Sequence, residues 1–334
     1  MPRPDQGAAA PLGPGVPDAA AARHERHPLR WLLTFIALVV AAQLIHLLAT
    51  NGTLQWTVVA QYFTTSVVLH GLQITIEATV IAMAVGIVLG VLIAVSRRSA
   101  VPALRVLSGL YIWFFRGTPA LVQLIFWYNL SAFVPKLSVG VPFGPEFASW
   151  QTNSLITPLV AAVLGLGLNE AAYMAEIIRG GLISVDPGQA EAANALGMNG
   201  ARTLRRIVLP QAMRFIIPPT GNEVINMVKA TSLVSVIALS DLLYSVESVY
   251  NRTFQTVPLL VVASLWYLAL TSVLYLGQSF LEYHYGRGSR TRAPSFWDML
   301  LIRHHRAAAG GAATPGGTGS AAVDPDTMEP GAHQ

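Results

Sequence analysis

Residues 72–95 read "LQITIEATVIAMAVGIVLGVLIAV", an apolar run with one charged side chain, Glu77. About 20 apolar residues carry a helix across the hydrocarbon core of a bilayer, so this run is long enough to be a membrane span. Runs of the same kind occupy 31–48, 106–130, 155–178, 215–239 and 258–281. Composition agrees: the 334 residues are 53% hydrophobic and 11% charged, against about 25% charged in a soluble domain. The fold class expected is an all-α integral membrane protein with about six transmembrane helices, a five-helix core plus one N-terminal helix.

The flanks of these runs set an orientation. Residues 1–28 are rich in Ala, Pro and Gly and read as a disordered tail. A helix over 29–50 follows and reads as a membrane anchor, because no small-residue cleavage site follows it. With the N-terminus in the cytoplasm, 17 of the 21 basic residues fall on the cytoplasmic side and two, Lys136 and Arg252, on the other. Cytoplasmic loops carry the excess of Lys and Arg, so both termini are expected inside. The core then spans 66–283, with one long cytoplasmic loop at 186–210 and a disordered tail at 286–334. A net charge of +4 spread over such loops reflects membrane topology and does not point to nucleic acid. Zero cysteines leave no disulfide and no thiolate metal site.

The long loop is the least apolar part of the core. Asp186 suits an N-cap, Pro187 the first helical position and Gly197 a left-handed C-terminal cap. The helix expected over 187–196 is under three turns and marginal alone in water, so it needs a partner surface. A second short helix, capped by Asn199, carries Arg202, Arg205 and Arg206 on one face, and Leu204, Ile207 and Val208 on the other. Pro210 is expected to end it, and Pro218 and Pro219 to interrupt the entry to the next span. By amphipathicity alone the segment could lie on anionic lipid.

The order "EAANALG" at 191–197 followed by "IVLP" at 207–210 resembles the EAA loop of ABC importer permeases. The matching positions are Glu191, Ala192, Ala193, Gly197, Ile207, Leu209 and Pro210. The resemblance implies that the loop docks as a coupling helix on a separate ATPase subunit. The chain supplies no nucleotide site of the Walker type, which needs G-x-x-x-x-G-K-[ST]. Its two lysines, Lys136 and Lys229, follow Pro135 and Val228. No cofactor is therefore expected on this chain, and ATP with Mg belongs on the partner ATPase. "FFRGTPALVQLIFWY" at 114–128, "LNEAAYMAEIIRGGLISVDPGQAEAANALG" at 168–197 and "LPQAMRFIIPPTGNEVINMVKATSLVSVIALSDLL" at 209–243 resemble the polar amino acid subfamily (His/Glu/Gln/Arg type). Together they cover most of residues 70–283. The family often has Asp or Asn after the lysine of K-x-T-S-L, where this chain has Ala230.

The resemblance implies a transport subunit and not an enzyme. Its expected partners are ATPase subunits, a second permease subunit (the same chain or a paralogue), an extracytoplasmic substrate-binding protein and the amino acid. Ionisable and polar groups inside spans mark a pathway or a helix contact. Candidates for the pathway are Arg116, Thr118, Glu170, Asn222, Asn226, Lys229, Thr231 and Ser232. For Thr231 and Ser232 the competing reading is a bond to their own helix backbone. Glu176 and Arg179, one step apart on a helix, read as an ion pair. The eight histidines are scattered and suggest no metal site. Two other functions remain open on the residues: an ion-gradient carrier and a non-transporting membrane scaffold.

Overall fold

In the computed structural model, residues 28–141 and 144–285 are described, and the chain through them is mostly helical. Helix α1 (Pro28–Thr50) leads through a 3-10 turn to α2 (Trp56–Phe63) and the long α3 (Ser66–Arg97). Next come α4 (Pro102–Gly117), α5 (Ala120–Tyr128) and the single turn α6 (Leu130–Phe133). A hairpin of β1 (Lys136–Gly140) and β2 (Glu146–Gln151) follows, then the turn α7 (Thr152–Leu155) and α8 (Pro158–Ile183). After the loop come α9 (Pro187–Ala195), α10 (Gly200–Thr203), a π-helical turn (Leu204–Val208) and α11 (Leu209–Ala230). A 3-10 segment (Thr231–Ile237), α12 (Leu242–Thr253) and α13 (Thr256–Tyr285) complete the described chain. The expected tails, 1–28 and 286–334, lie outside the described residues apart from Pro28.

Four described helices are long and apolar enough to cross a membrane: Trp31–Thr50, Ser66–Arg97, Pro158–Ile183 and Thr256–Glu282. Gly200–Ile237 together with Leu242–Thr253, bent by 46°, makes a fifth. The continuous span expected over 106–130 is instead two helices, broken at Gly117–Pro119. Pro119 has no N–H, so the Phe115 carbonyl loses its helical donor. Gln123 Nε2 at 3.0 Å and Asn169 Nδ2 at 2.8 Å donate to that carbonyl instead. Gln123 Nε2 also reaches Thr118 Oγ1 at 2.7 Å, and Thr118 Oγ1 donates to the Phe114 carbonyl at 2.8 Å. The carbonyl that Pro119 leaves without a helical donor is therefore bonded twice over.

Two further expectations are corrected. The described chain is mostly helical, as expected, with one hairpin that was not: residues 136–151 form an antiparallel pair in which Leu137 faces Trp150 and Val139 faces Ala148. Alternating apolar and polar residues with β-forming side chains favour strand over helix there. Nor does Pro210 end a helix. The Leu209 N–H donates to the Leu204 carbonyl five residues back, and this wider turn lets the chain continue with Pro210 in the first turn of α11. Pro218 and Pro219 likewise sit inside α11. The helix spends its irregular turn just ahead of the proline and stays unbroken.

The bundle is organised by α3 against α8. The buried face of α3 is almost all small: Gly71, Thr75, Ala78, Thr79, Ala82, Gly86, Gly90 and Ala94, with Met83. Facing it on α8 are Gly167, Glu170, Ala171, Met174 and Ala175. A Cβ on Gly86 would lie 2.5 Å from Glu170 Cγ, and one on Gly90 would lie 2.6 Å from Met174 Cβ. In lipid, where apolar side chains gain nothing by leaving water, such close backbone approach is what holds helices together. Ala82, Met83, Leu124, Ala162, Leu166, Met227 and Val234 continue this core across α5, α8 and α11. Val68, Leu242, Val246, Leu259 and Val262 form a second core where α3, α12 and α13 meet.

Gly86→Leu is expected to prevent normal packing of α3 on α8, at a cost of at least the ~1–3 kcal/mol of ordinary overpacking. The readout is the monodisperse fraction in detergent, with Gly109→Ala as control because nothing lies within 4 Å of that position. At the break, Gln123→Leu and Asn169→Leu should each cost about 1 kcal/mol in thermal unfolding. The double variant should lose more than the two combined, because either donor alone still serves the Phe115 carbonyl.

Candidate functional site

The loop joining α8 to α11 folds as its residue types suggest. Asp186 Oδ1 accepts from the Gly188 N–H at 2.7 Å, opening α9. At the other end Gly197 has φ +76°, its N–H bonds the Asn194 carbonyl at 2.9 Å, and the Met198 N–H bonds the Ala193 carbonyl at 3.1 Å. This pair of bonds is a Schellman cap, which needs a left-handed residue where Gly197 stands. Asn199 Oδ1 then accepts from the Arg202 N–H at 2.9 Å and starts α10.

Burial divides the loop into an inner and an outer face. Ala193 is buried, while Glu191, Ala192, Ala195 and Gly197 are exposed, and Leu196 is 83% exposed. Ile207 is half-buried, and Leu209 and Pro210 are exposed. Beneath them Val185, Ala212 and Ile216 form a small core with Ile177, Leu182 and Val208. Gly181 lets α8 approach α11 closely, since a Cβ there would meet Ile216 Cγ1 at 2.4 Å. Gln211 Nε2 donates to Gln189 Oε1 at 3.2 Å, tying α9 to α11. The short helix is thus seated on α10 and the π turn, with one side-chain bond to α11 and its small-residue face outward.

Close to that seat lies an ionic cluster. Glu176 pairs with Arg179 at 2.6 Å, as the sequence spacing suggests, and with Arg97 of α3 at 2.5 Å. Arg97 was not singled out from the sequence, because its partner stands 79 positions away on another helix.

The pathway candidates fall into separate groups. Arg116 ends α4 with its guanidinium 5.1 Å from the Tyr173 ring centroid, a cation–π distance. Thr118 belongs to the bonded break described above. Glu170 is 5% exposed in the α3–α8 contact, and its Oε1 has no hydrogen-bond partner. Asn222, Asn226 and Lys229 are all exposed and recur at i, i+4 and i+7 on α11. The opposite side of α11 is packed through Ile225, Met227 and Val228. Thr231 Oγ1 and Ser232 Oγ each donate at 2.7 Å to carbonyls of their own helix, those of Val228 and Lys229. Their hydroxyls are used in the turn that narrows α11 into the 3-10 segment.

Gln278 of α13 was also missed. Its Nε2 meets Asn222 Oδ1 at 2.9 Å, Glu282 Oε1 at 2.8 Å and the Pro218 carbonyl at 3.4 Å. No local signal marks Gln278, because its α11 partners stand 56 and 60 positions away.

Comparison with known proteins gives this architecture a family. Residues 86–286 match the family model described as "Binding-protein-dependent transport system inner membrane component". An arginine transport system permease protein of Corynebacterium glutamicum is 45% identical over 83% of this chain and 88% of its own. An octopine transport system permease protein of Rhizobium radiobacter is 39% identical over 62% of this chain and 80% of its own. Among solved structures, an amino acid ABC transporter crystallised with histidines superposes with a TM-score of 0.57 at 32% identity, covering 65% of this chain and 94% of that one. The chain belongs to the family of binding-protein-dependent transport system inner membrane components, as a multi-pass membrane transport subunit and not an enzyme.

Proposed function

We propose that the chain is the membrane-spanning subunit of an ATP-driven importer of polar amino acids, paired with a second permease subunit. Family membership supports this over an ion-gradient carrier or a scaffold. The observation that carries the pathway is the exposed row Asn222, Asn226 and Lys229 on a membrane-crossing helix. A lysine in lipid at the centre of a span costs about 2.5–3.5 kcal/mol even on the mildest scale, so this face belongs against a wet cavity shared with the second subunit. Arg116 and Thr118 sit beside the helix break at the same bundle, whereas Glu170 lies inside the α3–α8 contact, 5% exposed. The relative named for arginine transport supports a cationic amino acid as cargo.

Six crossings fit this role: α1, α3, α4 with α5, α8, the bent α11–α12 pair, and α13. The basic residues then support cytoplasmic termini and a cytoplasmic α9. On that side Glu191, Ala192, Ala193, Gly197, Ile207, Leu209 and Pro210 form the coupling segment for an ATPase subunit, which holds ATP and Mg. A substrate-binding protein delivers cargo from the opposite side. ATPase closure displaces α9, and because α9 packs on the π turn that continues into α11, that long helix moves with it as a rigid body.

Two substitutions at one glycine separate strain from docking. Gly197→Ala keeps the open space around that position and adds only the ~1–2 kcal/mol of a left-handed non-glycine residue. It should retain ATPase copurification and most uptake. Gly197→Trp fills the outer face and should abolish both while the chain still inserts. Unchanged ATP-dependent uptake by the Trp variant in reconstituted vesicles overturns the docking assignment. For the cargo, reconstituted vesicles should take up radiolabelled arginine in preference to glutamine, and equal uptake of both counts against a cationic substrate.

A further inference from the structure

The loop between α8 and α11 presents two surfaces of different chemistry, and only the first is explained by a protein partner. The exposed face of α9 is small and neutral to acidic, with Glu191, Ala192, Ala195 and Leu196. From α10 onward the exposed side chains are Arg202, Leu204, Arg205, Arg206 and Leu209, with Arg214 a turn further on. Among the described residues the ion pairs are Arg97–Glu176 and Arg179–Glu176, so these four guanidiniums have no acidic partner among them. Asp186 is engaged at the start of α9.

The backbone presents this face in a defined way. Thr203 is buried, Ile207 is half-buried, and Val208 packs on Val185, Ala212 and Ile216. The inner side of the segment is therefore held by protein while the arginines and leucines point away. The π turn passes without a break into α11, and Gly200–Ile237 forms the first part of a bent span. At ~1.5 Å per residue that element is far longer than the ~30 Å hydrocarbon core. Its apolar end occupies the core, so its arginine end lies at headgroup level. Arginines interleaved with exposed leucines suit that depth: the guanidiniums reach phosphate while the leucines and the arginine stems lie on acyl chains.

We propose that the face formed by Arg202, Arg205 and Arg206, with Leu204 beside them and Arg214 a turn further on, is a binding surface for anionic phospholipid headgroups. The coupling loop would then be clamped on one side by lipid and on the other by its protein partner, making transport sensitive to the anionic fraction of the membrane. The inference holds whichever partner α9 takes.

The test uses the full purified chain in neutral detergent, titrated with short-chain phosphatidylglycerol, short-chain phosphatidylcholine or inorganic phosphate. Retention in native mass spectrometry and the shift in unfolding midpoint are the readouts. Phosphatidylglycerol should bind and stabilise, the other two should not, and raising salt from about 50 to about 300 mM should weaken binding, as screening demands. The variant R202Q/R205Q/R206Q should lose about 30-fold or more in affinity, given about 1 kcal/mol for each basic residue near an anionic surface. The matching triple lysine variant should keep most of it. Equal binding of phosphatidylcholine, an equal effect of inorganic phosphate, or unchanged affinity of the glutamine variant overturns the proposal. So does a glutamine variant that keeps its lipid affinity but no longer copurifies with an ATPase, since the face then belongs to that protein. Should the triple variant fail to fold, Arg205→Gln alone and the salt titration of the native chain decide, and salt-independent binding overturns the proposal.

Discussion

Everything else in the molecule hangs on how closely α3 approaches α8. At Gly86 and Gly90 the two backbones come near enough that any side chain would collide with Glu170 or Met174. Between soluble helices, large apolar side chains would be rewarded for meeting. In a bilayer they gain little, because lipid is as apolar as they are, and contact between bare backbones becomes the main attraction. The small residues of α3 therefore decide which helices are neighbours. Larger residues on its other sides, such as Val80, Val88 and Leu92, stay exposed to lipid or to a partner.

That contact positions a second, polar layer. With α8 pinned to α3, Glu176 falls between Arg97 and Arg179, and the end of α8 stands beside α11 through Gly181 and Ile216. The short α9, marginal alone, rests on α10 and on the π turn that opens α11. The same pinning brings Asn169 to the carbonyl freed by Pro119. Irregular backbone survives in this bundle where a side chain from elsewhere in the chain completes it.

The polar face of α11 and the coupling loop lie on one continuous element. From Gly200 the chain runs through the π turn, past three prolines and on to Lys229 without leaving helical geometry. A displacement at the loop therefore has a stiff route to Asn222, Asn226 and Lys229. The prolines do not break the route: the π turn ahead of Pro210 absorbs the first misfit, and Pro218 and Pro219 sit inside continuous helix. Local proline rules predict a stop at each of these points, and the packing of α11 against α8 and α13 overrides them.

Sequence alone determined the membrane class, the places of most long helices and the capped loop helix from Asp186 to Gly197. It could do so because hydropathy, N-caps and left-handed glycines act over a few residues, as does the pairing of Glu176 with Arg179. Tertiary structure decided the rest: that 106–130 breaks in two, that 136–151 pairs as strands, and that α11 ignores its prolines. It also decided that Glu170 is sealed against Gly86 while Asn222, Asn226 and Lys229 stay open. Those outcomes depend on donors such as Gln123 and Asn169, and on small faces meeting small faces. A helical period shows which residues share a face, but only the packed bundle settles which face meets protein and which is left for lipid, water or a partner.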